Sequence, residues 1–211
     1  MVAGVPGAVE LQKDREKRKT LEQTPKQPYD ELNPPAEPGL IWRHSAVLIL
    51  LYPRGGEDYL VLMKRTENVA HHKGQISFPG GAHEPEDRDL VATALREANE
   101  ELGIDPEMVQ VLGVMPDFYA RVSNFIITPV VGRLKPEADA ARLLFQPNAN
   151  EVAEVIEVPL RVLRDPSIHH TEQRTHNNVT YRLHFYDYDG YEIWGATGRI
   201  IHEFLAAGEY A

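Results

Sequence analysis

SFPGGAHEPEDRDLVATALREANEELGI, residues Ser77 to Ile104, runs from a glycine-rich loop into a helix bearing a cluster of carboxylates. Leu90, Val91, Ala94, Leu95, Ala98 and Leu102 recur at helical spacing, which predicts one stripe facing a core, with Arg96, Glu97, Glu100 and Glu101 falling elsewhere. Glu97 lies three residues before Glu100 and four before Glu101, so the carboxylates are surface neighbours that repel by a few tenths of a kcal/mol per pair, about 0.2–0.5. A cation removes that penalty. Magnesium takes hard oxygen ligands, keeps several waters and commonly shares its site with substrate phosphates. Arg96, four residues before Glu100, is placed to brace it, and Gly103 supplies a C-terminal stop. Phe78-Pro79-Gly80-Gly81 reads as the end of a strand whose backbone can approach a ligand or metal. His83, Glu84, Glu86, Asp87 and Asp89 add hydrogen-bonding groups and charge ahead of the helix. An acidic run by itself reads as a solvated helix face; the loop beside it is what suggests a site.

The segment Arg96-Glu97-Ala98-Asn99-Glu100-Glu101-Leu102-Gly103-Ile104 resembles the second half of the box of the Nudix hydrolases, with Ala98 at the aliphatic position. In the first half, the residue that follows Gly81 after five intervening ones is Asp87 where the family has Glu, and eight residues rather than seven separate Asp87 from Arg96. That expansion resembles the coenzyme A pyrophosphatase subgroup. LMKRTENVAHHKGQISFPGG, Leu62 to Gly81, is similar to the subgroup's second signature at Arg65, Gly74, Phe78, Pro79, Gly80 and Gly81. Met63 stands where Thr is usual and Ala70 where Arg is usual, which bears on the substrate rather than on the family. EVAEVIEVPL and IWGATGRII also resemble the subgroup, so the likeness spans Ser45 to Leu205.

The resemblance implies an α/β (α+β) fold, a Nudix-type α/β/α sandwich with a mixed β-sheet. It implies Mg2+ or Mn2+ as cofactor, held by Glu97, Glu100, Glu101 and the Gly81 carbonyl, with Arg96 and Glu151 completing the catalytic set. Glu154 is the alternative to Glu151 as the acidic residue outside the box. Substrate contacts are expected from Arg65, His72, Lys73, Gln75, Ser77, Gly80 and Gly81. The implied reaction is metal-dependent hydrolysis of a nucleoside diphosphate derivative, coenzyme A first, with ADP-ribose or a dinucleotide cofactor as alternatives. A catalytically silent binding or sensor module is a further alternative; such modules lose box glutamates, and here they are intact.

Composition sets outer bounds. With 211 residues and 42% hydrophobic content, the chain suits one domain with a sizeable core, residues 41–211, preceded by an arm over 1–40 rich in charge and proline. The arm's functional alternatives are covering the substrate or swapping between the subunits of a homodimer. A net charge of -10 without a long basic run argues against nucleic acid as partner, since its phosphates need clustered Lys and Arg. Acidity does not exclude small anions where a bound divalent ion reverses the local field. The absence of cysteine excludes disulfides, thiolate metal sites and a cysteine nucleophile. Apolar runs are strand-sized and the start carries no secretory pattern, so a cytoplasmic protein without a membrane partner is expected.

Ser45 to Tyr52 and Tyr59 to Lys64 read as a hairpin about PRGGED. Val109 to Met115 and Asn124 to Val131 read as strands flanking a loop, PDFYARVS, whose Phe118 and Tyr119 could stack an adenine or anchor packing. Lys135 to Pro147 reads as partly helical. Glu151 to Val158 reads as a strand with its entry loop, Pro159 to Arg164 as a helical turn, and Ile168 to Thr175 with Thr180 to Tyr188 as an antiparallel pair. Gly195 to Ala207 reads as an amphipathic helix with Ile200, Ile201, Phe204 and Leu205 inward. Arg65, Arg121, Arg174 and Arg199 are candidate phosphate forks, and His83 a candidate proton-transfer or hydrogen-bonding group. Neither a Gly-x-Ser-x-Gly elbow nor a phosphate-binding P-loop is present.

Overall fold

The structure, a computed structural model, describes residues 41–67, 74–120, 123–135, 145–176 and 179–208. The expected arm over 1–40, His71, His72, Lys73, Ala70, Arg121 and most of the segment read as partly helical lie outside these residues.

Strands β1 (Arg43–Arg54) and β2 (Glu57–Arg65) form the expected hairpin, closed by Gly55-Gly56 with Arg54 opposite Glu57 and Leu51 opposite Leu60. Every strand has two edges, and the pairing of these two explains the site. One edge of β1 is taken by β7 (Phe125–Leu134), which runs parallel to it from Arg43 to Leu51. Its other edge is shared: β2 pairs with its last four residues, and β4 (Gly80–Ala82) with Ser45 to Val47. Likewise β8 (Val152–Pro159) occupies the outer edge of β2, so β3 (Ile76–Ser77), opposite Met63 and Lys64, must share the inner edge with β1. The hairpin therefore splays, and the glycine-rich loop fills the wedge, with the Leu48 amide donating to the Pro79 carbonyl at 2.8 Å. Beyond β7 lie β5 (Val109–Val114) and β6 (Phe118–Ala120). The segment read as a loop thus contains a short strand, because the start of β7 offers Phe118 to Ala120 a free edge. Parallel and antiparallel pairs make the sheet mixed. A second sheet, β9 (His169–His176), β10 (Val179–Tyr188) and β11 (Tyr191–Ile193), is antiparallel throughout.

The unbroken apolar run in β1 reflects burial on both faces of the main sheet. Leu48, Leu50 and Tyr52 join Val61, Met63 and Val130 beneath helix α1 (Leu90–Leu102), which contributes Ala94, Ala98 and Leu102. Ile49 and Leu51 join Leu60, Leu62 and Val131 on the opposite face, covered by α2 (Leu160–Leu163) and by Ile200, Ile201 and Phe204 of α3 (Gly195–Ala206). Tyr186 and Ile193 of the second sheet pack into this same face. The result is the expected α/β/α layering. Leu205, expected inward, is only partly buried at its margin. Among the described residues no helix is long and apolar enough to cross a membrane.

The two-faced core yields a direct test. Ile49→Ala and Leu50→Ala, which empty opposite faces, should each destabilise the fold by about 2–5 kcal/mol in urea unfolding. A neutral result at either position would mean that one face of the sheet is not packed.

Candidate active site

Helix α1 is defined at both ends as expected. The Asp89 side chain caps its start, accepting from the Ala92 amide at 2.8 Å, and Gly103, in the left-handed conformation at φ 69°, ends it. The buried face differs from the sequence reading: Thr93 and Glu101 join Ala94, Ala98 and Leu102, while Leu90, Val91 and Leu95 are only partly buried. Glu101 does not fall elsewhere: it follows Ala94 and Ala98 at i+7 and i+3, shares their face, and is 2% exposed. Its carboxylate enters the wedge between β1 and β2. There Oε2 accepts from the Gly80 amide at 2.9 Å and Oε1 from Arg65 Nη1 at 3.1 Å. Gly80 has φ 155°, and a Cβ there would collide with the Ala46 carbonyl; a Cβ on Gly81 would collide with the Glu97 carboxylate. The two glycines are thus required because the loop lies against β1 on one side and against a carboxylate on the other.

Glu97, one turn before Glu101, lies over Gly81 and pairs with Arg96 Nη1 at 3.0 Å. The same nitrogen reaches Glu100 Oε2 at 3.1 Å, as the spacing predicts, although Glu100 is 55% exposed. The main partner of Arg96 is Asp87, bound in a fork by Nε at 2.9 Å and Nη2 at 3.1 Å, with Nη2 also donating to the Ala82 carbonyl. Asp87, 4% exposed, further accepts from the Thr93 hydroxyl and the Glu84 amide. The sequence shows Asp87 as added charge and as the departure from Glu at the box position, without assigning it a partner. Its position after five intervening residues from Gly81, where the family resemblance places a Glu, is the signal for this role.

Glu151 belongs to a loop tied down on two sides. The Asn148 amide donates to the Glu101 carbonyl and the Gln146 amide to the Leu102 carbonyl, while the Thr66 amide donates to the Glu151 carbonyl. The Glu151 carboxylate comes to 4.0 Å from Arg65 Nη2. Glu154 sits opposite Lys64 rather than Arg65 and accepts from the Tyr191 hydroxyl at 2.6 Å, so it is directed to another partner. Arg65, Gly80, Gly81, Arg96, Glu97, Glu100, Glu101 and Glu151 therefore meet. Gln75 holds the loop through its carbonyl, which accepts from the Arg65 amide, and Ser77 lies on β3 with its hydroxyl buried and without a hydrogen-bond partner among the described residues. Arg174 pairs with Glu172 and lies over Phe185 and Trp194, and Arg199 pairs with Glu203, so neither belongs to this group. Phe118 packs on the core and Tyr119 meets Trp42 edge-on, while His83 Nδ1 is 2.9 Å from the Thr93 hydroxyl.

The carboxylates are electrostatically strained. Burial raises the Glu97 pKa against the pull of Arg96, with Glu100 and Glu151 adding repulsion. Burial also pushes Glu101 up to about 7, opposed by the Gly80 amide and Arg65 and reinforced by Glu97 and Glu151. The Arg96 fork has the opposite effect on Asp87, holding its carboxyl well below the usual range. A cluster with this many oxygen donors, two of whose carboxylates are disfavoured as ions by burial, suits a hard divalent cation.

Two measurements follow from the geometry. With divalent ions chelated, the stability contributed by Glu101 is fully present below pH 4.5 and is lost as pH rises through about 7. The wild type should therefore lose stability relative to Glu101→Gln across that window, and a parallel pair of stability curves would contradict the burial-raised pKa. Asp87→Asn, which removes the charge from the Arg96 fork, should cost on the order of 2 kcal/mol in denaturant unfolding.

Comparison with known proteins bears on the same region. A family model described as the NUDIX domain matches residues 42–178. The chain is 39% identical over 175 residues to an uncharacterised Nudix hydrolase, NudL, of Pectobacterium atrosepticum, covering 82% of this chain and 86% of the relative. It is 36% identical over 161 residues to the mouse peroxisomal coenzyme A diphosphatase NUDT7, covering 74% of this chain and 66% of that protein. Among solved structures, a Nudix hydrolase from M. smegmatis, RenU, aligns with a TM-score of 0.47 and 24% identity over 59% of this chain and 76% of the other. By its sequence match over most of its length, the chain belongs to the Nudix hydrolase family.

Proposed function

We propose that the protein hydrolyses the diphosphate linkage of a nucleoside diphosphate derivative, and that coenzyme A, cleaved to 3',5'-ADP and 4'-phosphopantetheine, is its principal substrate. The observation that carries the reaction class is the placement of Glu97 and Glu101, shielded from solvent, against the Gly80-Gly81 backbone, with burial opposing their ionised forms. Support for the substrate comes from the Leu62 to Gly81 signature and from the mouse relative, named for coenzyme A diphosphatase activity.

The donor set fits a hard divalent ion, Mg2+ or Mn2+, which Glu97, Glu100, Glu101 and the Gly81 carbonyl would hold. When bound, such an ion neutralises phosphate charge and brings the pKa of a coordinated water towards neutrality. Arg96 is a positioning residue: forked to Asp87, it keeps Glu97 and Glu100 together. Arg65 balances Glu101 and lies beside Glu151, where its guanidinium can also face a phosphate oxygen. Glu151 is the base favoured here, because Glu154 is held by Tyr191. In this scheme water attacks one phosphorus in line, the new P–O bond replaces the anhydride P–O bond, and Glu151 accepts the proton of the water. No covalent enzyme intermediate forms. Gln75, Ser77, Gly80 and Gly81 shape the substrate side of the loop, and His72 and Lys73 are proposed to meet a phosphate in place of the arginine that Ala70 replaces. Residues 41–211 form the catalytic domain in this reading, with the 1–40 arm as an appendage, and the working compartment is the cytoplasm.

Turnover of coenzyme A, dephospho-coenzyme A and ADP-ribose by one preparation with Mg2+ or Mn2+ decides the matter. Coenzyme A should be cleaved, Glu97→Gln and Glu101→Gln should lower turnover by orders of magnitude without loss of the folded state, and excess chelator should abolish it. Lys73→Ala should raise KM more than it lowers kcat, as loss of uniform binding does. ADP-ribose turned over about tenfold more efficiently than coenzyme A, about 1.4 kcal/mol in transition-state binding, would overturn the substrate while leaving the reaction class. Near-normal turnover in either glutamate variant would overturn the assignment of the cluster.

A further inference from the structure

His169, the first residue of β9, His184 of β10 and His202 of α3 meet on the opposite side of the main sheet from α1. His169 Nε2 is 3.0 Å from His184 Nδ1, and one ligand nitrogen from each of the three rings falls within 4.8 Å of the others. The meeting is built by packing. A Cβ on Gly198 would collide with the His184 carbonyl, so α3 runs directly against β10 at that point, and His202, one turn later on the same face, lies over His184 at 3.9 Å between ring centroids. Tyr186 closes the side of His169, with ring centroids 4.7 Å apart. His184 is buried, whereas His169 and His202 are only half-buried, which leaves the group open to solvent on one side.

We propose that His169, His184 and His202 form a binding site for a first-row transition-metal ion of the zinc class, with water completing its shell. Imidazole nitrogen is the donor that such ions prefer, and three histidines with an open position is an established ligand set for Zn2+. Tetrahedral bonds of 2.0–2.1 Å separate ligand nitrogens by about 3.3 Å, so the His169–His184 pair is already near that spacing and His202 would move closer within the 4.8 Å that bounds the group. The rings lie within 26° of parallel and must turn for their lone pairs to converge. The last histidine torsion is broad, which allows that turn, and the His169–His184 hydrogen bond would give way to bonds to the ion. Burial, aided by neighbouring positive charge, lowers all three pKa values, His184 to about 4, which favours the neutral imidazole that a metal ion binds. Arg182 and Arg199 oppose an incoming cation and Glu203 favours it. Hard Mg2+ is poorly matched to three nitrogens, which separates this site from the glutamate cluster. Because the three ligands come from β9, β10 and α3, a bound ion would pin the second sheet to the C-terminal helix.

The test uses the full chain in excess Mg2+, titrated with Co2+ and with Zn2+. One equivalent of Co2+ should bind and show the strong visible absorption of four-coordinate cobalt, and Zn2+ should displace it and raise the melting temperature with concentration. His169→Gln and His202→Gln, at half-buried positions, should each weaken Zn2+ binding by at least the about 10- to 100-fold that loss of an outer-shell partner costs. Glu97→Gln should retain the cobalt spectrum. A weak six-coordinate spectrum in the unmodified chain overturns the proposal, even if a histidine variant fails to fold. So does Zn2+ binding that survives in both histidine variants, since that would place the ion on the glutamates or on His71 and His72.

Discussion

The Glu101 carboxylate is the point on which the two layers of the site depend. It belongs to the buried stripe of α1, yet its oxygens accept from the amide of the glycine loop and from the guanidinium at the end of β2. One ionisable group therefore fixes helix, loop and strand relative to one another. A buried carboxylate whose cationic partner among the described residues is Arg65 alone is expensive to ionise, so burial outweighs Arg65 and the Gly80 amide in setting its pKa. The fold accepts that cost at a place where several other carboxylates converge. Such a concentration of local strain is characteristic of a functional site.

The splay of β1 from β2 makes this arrangement possible. Had the hairpin stayed paired along its whole length, no edge would remain for β3 and β4, and the loop could not enter the sheet. The N-terminal half of β1 must still be paired on both sides, and the backbone of Pro79 to Ala82 supplies the second partner. Close approach then demands glycine twice, once against β1 and once against Glu97. The helix that follows is delivered over the wedge by the loop, and the Asp87 to Arg96 fork holds the intervening turn against its second and third turns.

Division of labour between the faces of the sheet is equally physical. One face receives a helix with alanines at its contact, close enough for its carboxylates to reach the strands. The other receives α3 and the second sheet, where a histidine cluster replaces the carboxylates. Hard oxygen donors on one side and neutral nitrogen donors on the other present cations with two different chemistries.

Local pattern sufficed for much of this. The 3.6-residue period, the Asp89 cap and the Gly103 stop define α1 without reference to the rest of the chain, and the spacing of Glu97, Glu100 and Glu101 places them within one helical turn. The paired apolar runs about Gly55-Gly56 define the hairpin for the same reason: turn chemistry and period act over a few residues. What lay beyond local pattern was decided by register between distant strands. Arg65 meets Glu101, 36 residues away, only because β2 splays towards the loop. Glu151 reaches the site and Glu154 does not because pairing places Glu154 opposite Lys64. His169, His184 and His202 are unremarkable on three separate elements until the packing of α3 on β10 stacks them. Side-chain period assigns a residue to a face; which other residues share that place depends on long-range contacts that no local pattern encodes.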